Sequence, residues 1–206
     1  MIKKLFLAAA LWGMATSAFA LPDRYIEGTH YQTLATPVPT SDPERIEVRE
    51  YFSYGCIHCS NIQPFVNRWE STIASDVNFV QNPVFSEPLA RAYFVAYNKG
   101  ILNKTHNALF HAIFKENKKL NSDKALAKWF EQFGVSADDY VKLAHLPSVN
   151  VQMTQAYNSA VSAKIDGTPS FTVDGRYMVL RGNLNGEAET FSVIDFLVNK
   201  ARAAHK

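Results

Sequence analysis

Two cysteines three positions apart, Cys56 and Cys59, are the residues whose type and spacing most directly predict chemistry. They follow a β-branched and aromatic segment, Ile46–Phe52, that predicts a buried strand. Gly55 interrupts this segment, and a helix can begin at Cys56. The free N–H groups and the dipole of a helix N-terminus favour negative charge, so a Cys56 thiolate would be stabilised. His58 lies in the same turn, and its imidazolium form would stabilise that thiolate further.

The position of the pair predicts the direction of its redox chemistry. A free thiol has a pKa of about 8.5, and sites of this kind lower it to about 3.5–7.5. The thiolate exists only in the reduced protein, so stabilising it makes the disulfide a stronger oxidant. Cys56 should be the more exposed sulfur and Cys59, one turn deeper, its partner. The sequence therefore predicts a disulfide that is readily given away.

Three other uses of the cysteines fit the sequence less well. A structural disulfide across so short a loop would constrain the unfolded chain little. A zinc site needs at least three protein ligands, and the chain has no second cysteine pair. A c-type haem requires histidine directly after the second cysteine, where Ser60 stands. His106 shares a helix face with Leu109 and Phe110, so it is interpreted as a core-edge histidine. No metal and no bound cofactor is expected.

Glu50 is the second candidate functional residue. Ile46, Val48, Glu50 and Phe52 share one face of the predicted strand, so a single acid interrupts an apolar face. Burial of a carboxylate is costly unless it has a partner or a task. The functional hypothesis is a proton acceptor or electrostatic tuner beneath the cysteines. The alternative is a strand-edge acid paired with Arg49 or another cation.

The N-terminal twenty residues are predicted to be a secretory signal peptide. Lys3 and Lys4 precede an apolar run, Leu5–Phe19, and Ala18-Phe19-Ala20 resembles a cleavage site. An uncleaved anchor is the alternative. Cleavage would remove two of the 21 basic residues and none of the 19 acidic ones, which leaves no formal net charge. A neutral chain with scattered charges argues against nucleic-acid binding. Export would place the cysteines in an oxidising compartment.

The remaining patterns predict an α/β protein that is interrupted by helices. Strand signals at residues 31–34, 46–52 and 77–80 are followed by successive helical patterns from 86 to 164. Strands return at Ser170–Val173 and Tyr177–Leu180 around an Asp174-Gly175 turn, and Glu187–Ala201 predicts a final helix. We therefore expect one sheet domain, residues 21–85 and 165–206, that carries an inserted helical domain, residues 86–164.

Together these motifs resemble the thioredoxin superfamily, and within it the DsbA family of periplasmic thiol oxidants. Glu50–Cys59 looks like the active-site strand and loop of that family, and Tyr31–Leu34 resembles its N-terminal segment. Gly167–Phe171 and Val173–Gly175 resemble its cis-proline loop and hairpin. The resemblance spans almost the whole mature chain. It implies a thioredoxin-like fold with an inserted all-helical domain.

The resemblance also implies roles for the candidate residues. Cys56 would be the attacking nucleophile and Cys59 the resolving cysteine. His58 would stabilise the Cys56 thiolate, and Glu50 matches the buried acid of the family. Ile57 stands where the best-known members have proline, and residues at this position tune the redox potential.

A late Thr-Pro pair completes the expected substrate site. Thr168 and Pro169 would flank a bound substrate strand together with Ile57, and a cis bond would turn the Thr168 backbone toward that strand. Without the resemblance, a proline at the start of a strand needs no explanation beyond the N–H bond that it can spare there.

The predicted function is that of a periplasmic protein dithiol–disulfide oxidoreductase. It would donate its disulfide to newly exported unfolded proteins through a mixed disulfide, act as a monomer and need no bound cofactor. The resemblance implies reoxidation by a DsbB-like quinone-linked membrane protein. The alternatives are a reductase or isomerase of the same fold, a metal- or peptide-binding module, and a structural cysteine pair.

Overall fold

A five-stranded mixed sheet lies at the centre of the computed structural model, which describes residues 24–205. The predicted signal peptide lies outside the described residues. The strands are β1 (Tyr31–Thr33), β2 (Ile46–Phe52), β3 (Val77–Pro83), β4 (Ser170–Val173) and β5 (Tyr177–Val179). The helices are α1 (Ile57–Glu70), α2 (Glu87–Asn98), α3 (Leu102–Phe114), α4 (Asp123–Phe130), α5 (Ala137–Ala144), α6 (Pro147–Ser162) and α7 (Glu187–Ala204).

The strand order places the cysteine-bearing segment beside the late strands of the chain. The order is β1-β5-β4-β2-β3, with β2 parallel to β3 and antiparallel to β4. All seven residues of β2 are buried, because helices cover both faces of the sheet. The carboxyl ends of β2 and β3 therefore meet the start of β4 at one edge, where α1 begins.

The two faces of β2 contact different helices. On one face, Val48 belongs to a core cluster with Val66 of α1 and Ile194 of α7. On the other face, Arg49 hydrogen-bonds to Ser159 of α6.

Arg49 is also fully engaged on its own face of the sheet. Its guanidinium lies 2.6 Å from the carboxylate of Glu47. The alternative partner for Glu50, Arg49, is therefore wrong, because these neighbours point to opposite faces of the strand.

The five helices between β3 and β4 form the helical block that the sequence predicts. Leu109, Leu126, Phe130 and Tyr140 pack in one buried cluster, which extends to Phe52 at the end of β2. Within residues 24–205, no helix is long and apolar enough to cross a membrane. The helical block thus buries its own apolar residues and also packs against the carboxyl end of β2.

Local signals locate most element boundaries correctly. The Ser122 hydroxyl accepts the Ala125 N–H in the first turn of α4, and the Ser136 hydroxyl accepts the Asp139 N–H in the first turn of α5. Asp174 and Gly175 both adopt positive φ in the hairpin turn. β3 runs three residues beyond Val80, because its pairing with β2 continues as far as Pro83. Pairing here overrides the weak strand propensity of the residues after Val80.

Candidate active site

Cys56 is the N-cap of α1. Its backbone is extended, with φ −98° and ψ 116°, and its N–H donates to the Ser53 carbonyl at 3.0 Å. Its Sγ accepts the Cys59 backbone N–H at 3.4 Å, so a sulfur occupies the position that a Ser or Asp oxygen usually holds. Both cysteines are free thiols. As predicted, Cys56 is partly exposed and Cys59 is fully buried.

The loop before β4 faces the Cys56 sulfur. The Thr168-Pro169 bond is cis, and the Thr168 carbonyl oxygen lies 3.2 Å from Sγ. Arg181 anchors this loop by donating to the Pro169 carbonyl at 3.0 Å, and its other terminal nitrogen pairs with Glu187 at 2.6 Å. The reactive sulfur therefore lies between a helix N-terminus and a fixed backbone segment.

Hydrogen bonds favour the ionised form of Cys56. Partial burial raises the pKa of its thiol, but the Thr168 hydroxyl and the Cys59 N–H lower it. The Cys59 thiol and the backbone N–H of His58 lower it further, so the pKa of Cys56 lies below its ordinary value. The Thr168 carbonyl opposes this effect, because an oxygen acceptor can serve only the protonated sulfur. The donors prevail over that contact.

The pKa of Cys59 is shifted in the opposite direction to that of Cys56. Burial raises the pKa of its thiol well above the ordinary value, and the adjacent Cys56 adds to the rise. Because only a thiolate is an effective nucleophile, Cys56 is the sulfur that reacts near neutral pH.

The two residues between the cysteines point to solvent. The Ile57 side chain is 43% exposed, which leaves an apolar surface directly beside the reactive sulfur. His58 is also exposed, and its imidazole makes no hydrogen bond within the part of the chain that the structure describes. The stabilising contribution of His58 in this structure comes from its backbone N–H. The predicted role of its imidazolium stays a prediction.

Glu50 is completely buried. Its carboxylate accepts the Gln81 amide at 3.0 Å and lies 3.5 Å from the Gln63 amide nitrogen. Gln63 also donates to the backbone carbonyl of Cys59 at 3.2 Å. Burial raises the pKa of Glu50 to about 7, although Gln81, Arg181 and Gln63 each lower it. Glu50 is therefore an acid that can exchange a proton near neutral pH.

Four residues of this neighbourhood were not assigned to it from the sequence: Gln63, Gln81, His106 and Arg181. Gln63 carries one available signal, since it falls on the buried face of α1 four residues after Cys59. Gln81 enters through the parallel register of β2 and β3, which pairs it with Glu50. No sequence pattern indicates that Arg181 contacts the loop before β4.

Comparison with known proteins agrees with this geometry. The model of the DSBA-like thioredoxin domain matches residues 75–188. The thiol:disulfide interchange protein DsbA of Pseudomonas aeruginosa is 34% identical over 202 residues, which cover 96% of this chain and 94% of that protein. DsbA of Bordetella pertussis is 36% identical over 205 residues and 95% of each chain. The crystal structure of Pseudomonas aeruginosa DsbA has a TM-score of 0.83 and 32% identity over 89% of this chain and 98% of that one.

The fold and the paired cysteines define a thioredoxin-fold protein dithiol–disulfide oxidoreductase with a helical insertion. Within that class, the chain belongs to the DsbA family of thiol:disulfide interchange proteins. The predicted fold class and family resemblance are confirmed.

The contrast between the two thiols predicts selective alkylation of the reduced protein. At pH 7, iodoacetamide should modify Cys56 and leave Cys59 unmodified, because Cys56 is partly exposed and has a lowered pKa, whereas Cys59 is buried and has a raised one. Peptide mass spectrometry of timed samples measures both rates. Cys56→Ser is the control, and Cys59 should remain unreactive in it. Equal labelling of the two cysteines would contradict the assignment.

Burial of Glu50 predicts a pH-dependent cost to stability. Its folded pKa of about 7 lies above the unfolded value of about 4.3, so the folded state holds a proton that the unfolded state releases between these values. Native stability should therefore fall as pH rises through this window. The free energy of unfolding of Glu50→Gln, relative to that of the native protein, should therefore increase by roughly 3 kcal/mol as the pH rises from 4 to 8.

Urea unfolding of the two reduced proteins at matched pH values measures this difference. Glu27→Gln is a control, because the pKa of that exposed carboxyl is lowered rather than raised. A stability difference between Glu50→Gln and the native protein that does not change with pH would refute the raised pKa.

Proposed function

We propose that this protein donates the Cys56–Cys59 disulfide to newly exported unfolded proteins. The observation that carries the proposal is the unequal environment of the two sulfurs. Cys56 is accessible and has N–H donors for a thiolate, whereas Cys59 is buried and favours its protonated form. The reduced state therefore holds one stabilised thiolate and one stable thiol, which favours release of the disulfide.

The reaction proceeds in two thiol–disulfide exchanges. A substrate thiolate attacks Cys56 Sγ and forms a mixed disulfide, while the electron pair of the broken bond leaves with Cys59 and takes up a proton. A second substrate thiolate then attacks the substrate sulfur of that mixed disulfide. Cys56 leaves as a thiolate, the substrate gains a disulfide, and both enzyme cysteines are reduced.

Glu50 serves the opposite half of the cycle. Reoxidation requires the buried Cys59 thiol to lose its proton before it can attack a disulfide that Cys56 has formed with the oxidant. Gln63 joins the Glu50 carboxylate to the Cys59 backbone, and the pKa of Glu50, about 7, suits a proton acceptor at neutral pH. We assign to His58 the further task of stabilising the Cys56 thiolate when its imidazole is protonated.

The substrate is held beside Cys56 by contacts that do not select a sequence. Ile57 supplies exposed apolar surface, and the Thr168 backbone at the cis Pro169 supplies hydrogen-bonding groups to an extended chain. Arg181 keeps this loop in place through the Pro169 carbonyl. Backbone and apolar contacts suit unfolded clients of many sequences.

The cellular setting follows from the same function. The protein acts in the periplasm as a monomer after loss of residues 1–20, and a DsbB-like quinone-linked membrane protein reoxidises it. We divide the mature chain into a thioredoxin-like domain, residues 21–85 and 165–206, and an inserted helical domain, residues 86–164. Two core clusters support this division: one joins β2 to α1 and α7, and the other lies mainly in the helical block and reaches the sheet domain at Phe52, Tyr54 and Cys59.

A trapping experiment tests the proposed donation. Cys59→Ser, first activated at Cys56 with a small aromatic disulfide, should form a mixed disulfide with an unfolded substrate that carries a single cysteine and retain it, because neither Cys59 nor a second substrate thiol is present to resolve it. The native oxidised protein should instead convert the two-cysteine form of the same substrate to its disulfide. Non-reducing electrophoresis and mass spectrometry of the substrate follow both reactions.

Cys56→Ser is the matched control and should neither trap nor oxidise substrate. Oxidation that persists in Cys56→Ser, or a native oxidised protein that leaves reduced substrate unchanged, would contradict the proposal. The second result would favour a binding module or a structural cysteine pair.

A further inference from the structure

His106 is a buried polar residue that reaches from the helical block to the site. It lies on α3 and is only 6% exposed. Its Nδ1 lies 2.7 Å from the Tyr54 hydroxyl, and its Nε2 lies 3.1 Å from Gln63 Oε1 and 3.1 Å from Gln81 Nε2. Both glutamines also approach the Glu50 carboxylate. A continuous polar path therefore leads from α3 to the proposed proton acceptor.

The hydrogen-bond chemistry of this path selects one tautomer of His106. Burial lowers the pKa of His106 to about 3, so its ring is neutral and has one donor and one acceptor nitrogen. With the proton on Nε2, the ring donates to Gln63 Oε1 and accepts the Tyr54 hydroxyl at Nδ1, while the Gln81 amide donates to Glu50 and makes no hydrogen bond to the ring. With the proton on Nδ1, Nε2 would accept the Gln81 amide, but the Gln63 oxygen would face an acceptor and the buried Tyr54 hydroxyl would have no acceptor. The first tautomer therefore leaves fewer buried polar groups without a partner.

The selected tautomer also fixes the amide of Gln63. Once its oxygen accepts from His106, its nitrogen is directed to Glu50 Oε1 and to the Cys59 carbonyl oxygen. The amide then favours the carboxylate form of Glu50, because it can only donate there. A reversed amide would place an oxygen against that carboxylate and favour its protonated form.

We propose that His106 is a positioning residue for Glu50, because its Nε2–H holds the Gln63 amide in the orientation that donates to the carboxylate. This inference rests on the proposed role of Glu50 as proton acceptor for Cys59. Without the Nε2–H, the Gln63 amide could rotate away from its donating orientation. The Glu50 carboxylate would then be less favoured, so Glu50 would act as a proton acceptor only at a higher pH.

Other groups also act on Glu50 and stay in place when His106 is changed. Arg181 lowers the pKa of Glu50 and Glu70 of α1 raises it. Tyr54 and Tyr93 of α2 face the same carboxyl and remain protonated, because burial raises the pKa of both phenols. Cys59 approaches through the shared Gln63 contact. Matched substitutions at positions 106 and 63 therefore test the path through the Gln63 amide.

The tautomer is tested first on the unaltered protein. Nitrogen-15 NMR of histidine-labelled reduced protein should show a His106 ring that is protonated at Nε2 and unprotonated at Nδ1, with no titration from pH 5 to 8. The His106→Gln spectrum assigns the signals by their loss. A ring protonated at Nδ1, or a ring that titrates within this range, would overturn the proposal.

Two substitutions then separate positioning from space filling. In His106→Gln the new amide nitrogen takes the place of Nε2 and can still donate to Gln63. In His106→Asn the amide nitrogen takes the place of Nδ1 and can still reach Tyr54 only. Carbon-13 NMR of glutamate-labelled reduced protein, with Glu50 assigned through Glu50→Gln, measures the carboxyl pKa in each.

The pKa of Glu50 should rise by roughly half a unit or more in His106→Asn and stay near the native value in His106→Gln. In a Gln63→Met background, His106→Asn should cause no further rise. Three results would overturn the proposal. They are equal pKa shifts in His106→Asn and His106→Gln, an unchanged Glu50 pKa in His106→Asn, and a shift caused by His106→Asn that persists in the Gln63→Met background.

These measurements need no turnover, so they are independent of the proposed donation. If the native protein failed to oxidise substrate while Glu50 shifted as expected, the donation would be wrong and the positioning by His106 would stand. If turnover occurred and Glu50 did not shift, only the inference about His106 would fall.

Discussion

The contact between the Cys56 sulfur and the free N–H groups at the start of α1 is the interaction on which the site depends. Sγ occupies the N-cap position and accepts the Cys59 N–H, so a charge on this sulfur meets the positive end of the helix. A sulfur in a disulfide carries no such charge and gains little from the same groups. The fold therefore stabilises the reduced state selectively.

The surrounding fold keeps that interaction in place. β2 ends in a turn in which the Cys56 N–H bonds to Ser53, so the sulfur lies at the helix start rather than one turn inside it. Pairing of β4 with β2 brings the cis Pro169 loop to the same edge. Arg181 then fixes this loop through a carbonyl oxygen, and substrate contacts do not have to create its shape.

The burial of Glu50 lowers the stability of the folded protein at neutral pH and gives this acid a pKa that suits proton exchange. Glu50 lies in a fully buried strand, and among residues 24–205 its direct hydrogen-bond donors are two neutral amides, Gln63 and Gln81. Amides moderate the cost of ionisation without holding the carboxylate charged, as a salt bridge would. The acid thus remains able to gain and lose a proton.

Local sequence signals predict the parts of the site that lie within one segment. The strand–Gly–helix pattern predicts the position of Cys56 and the exposure order of the two sulfurs, because helix starts and caps are set by neighbouring residues. Glu50 is recognisable as an acid on an apolar face. The residues that surround it are not, because Gln81 arrives through strand register, and packing of a distant helix brings His106 to Gln63 and Gln81. For the same reason, the sequence predicts only a core-edge position for His106.

The reduction potential of the Cys56–Cys59 couple measures the selective stabilisation of the reduced state. Equilibration of the protein with glutathione buffers, followed by mass spectrometry of the thiol and disulfide forms, measures it. Selective stabilisation of the reduced state predicts a potential clearly less negative than that of thioredoxin, about −270 mV. A potential at or below that value would contradict the account and describe a reductase.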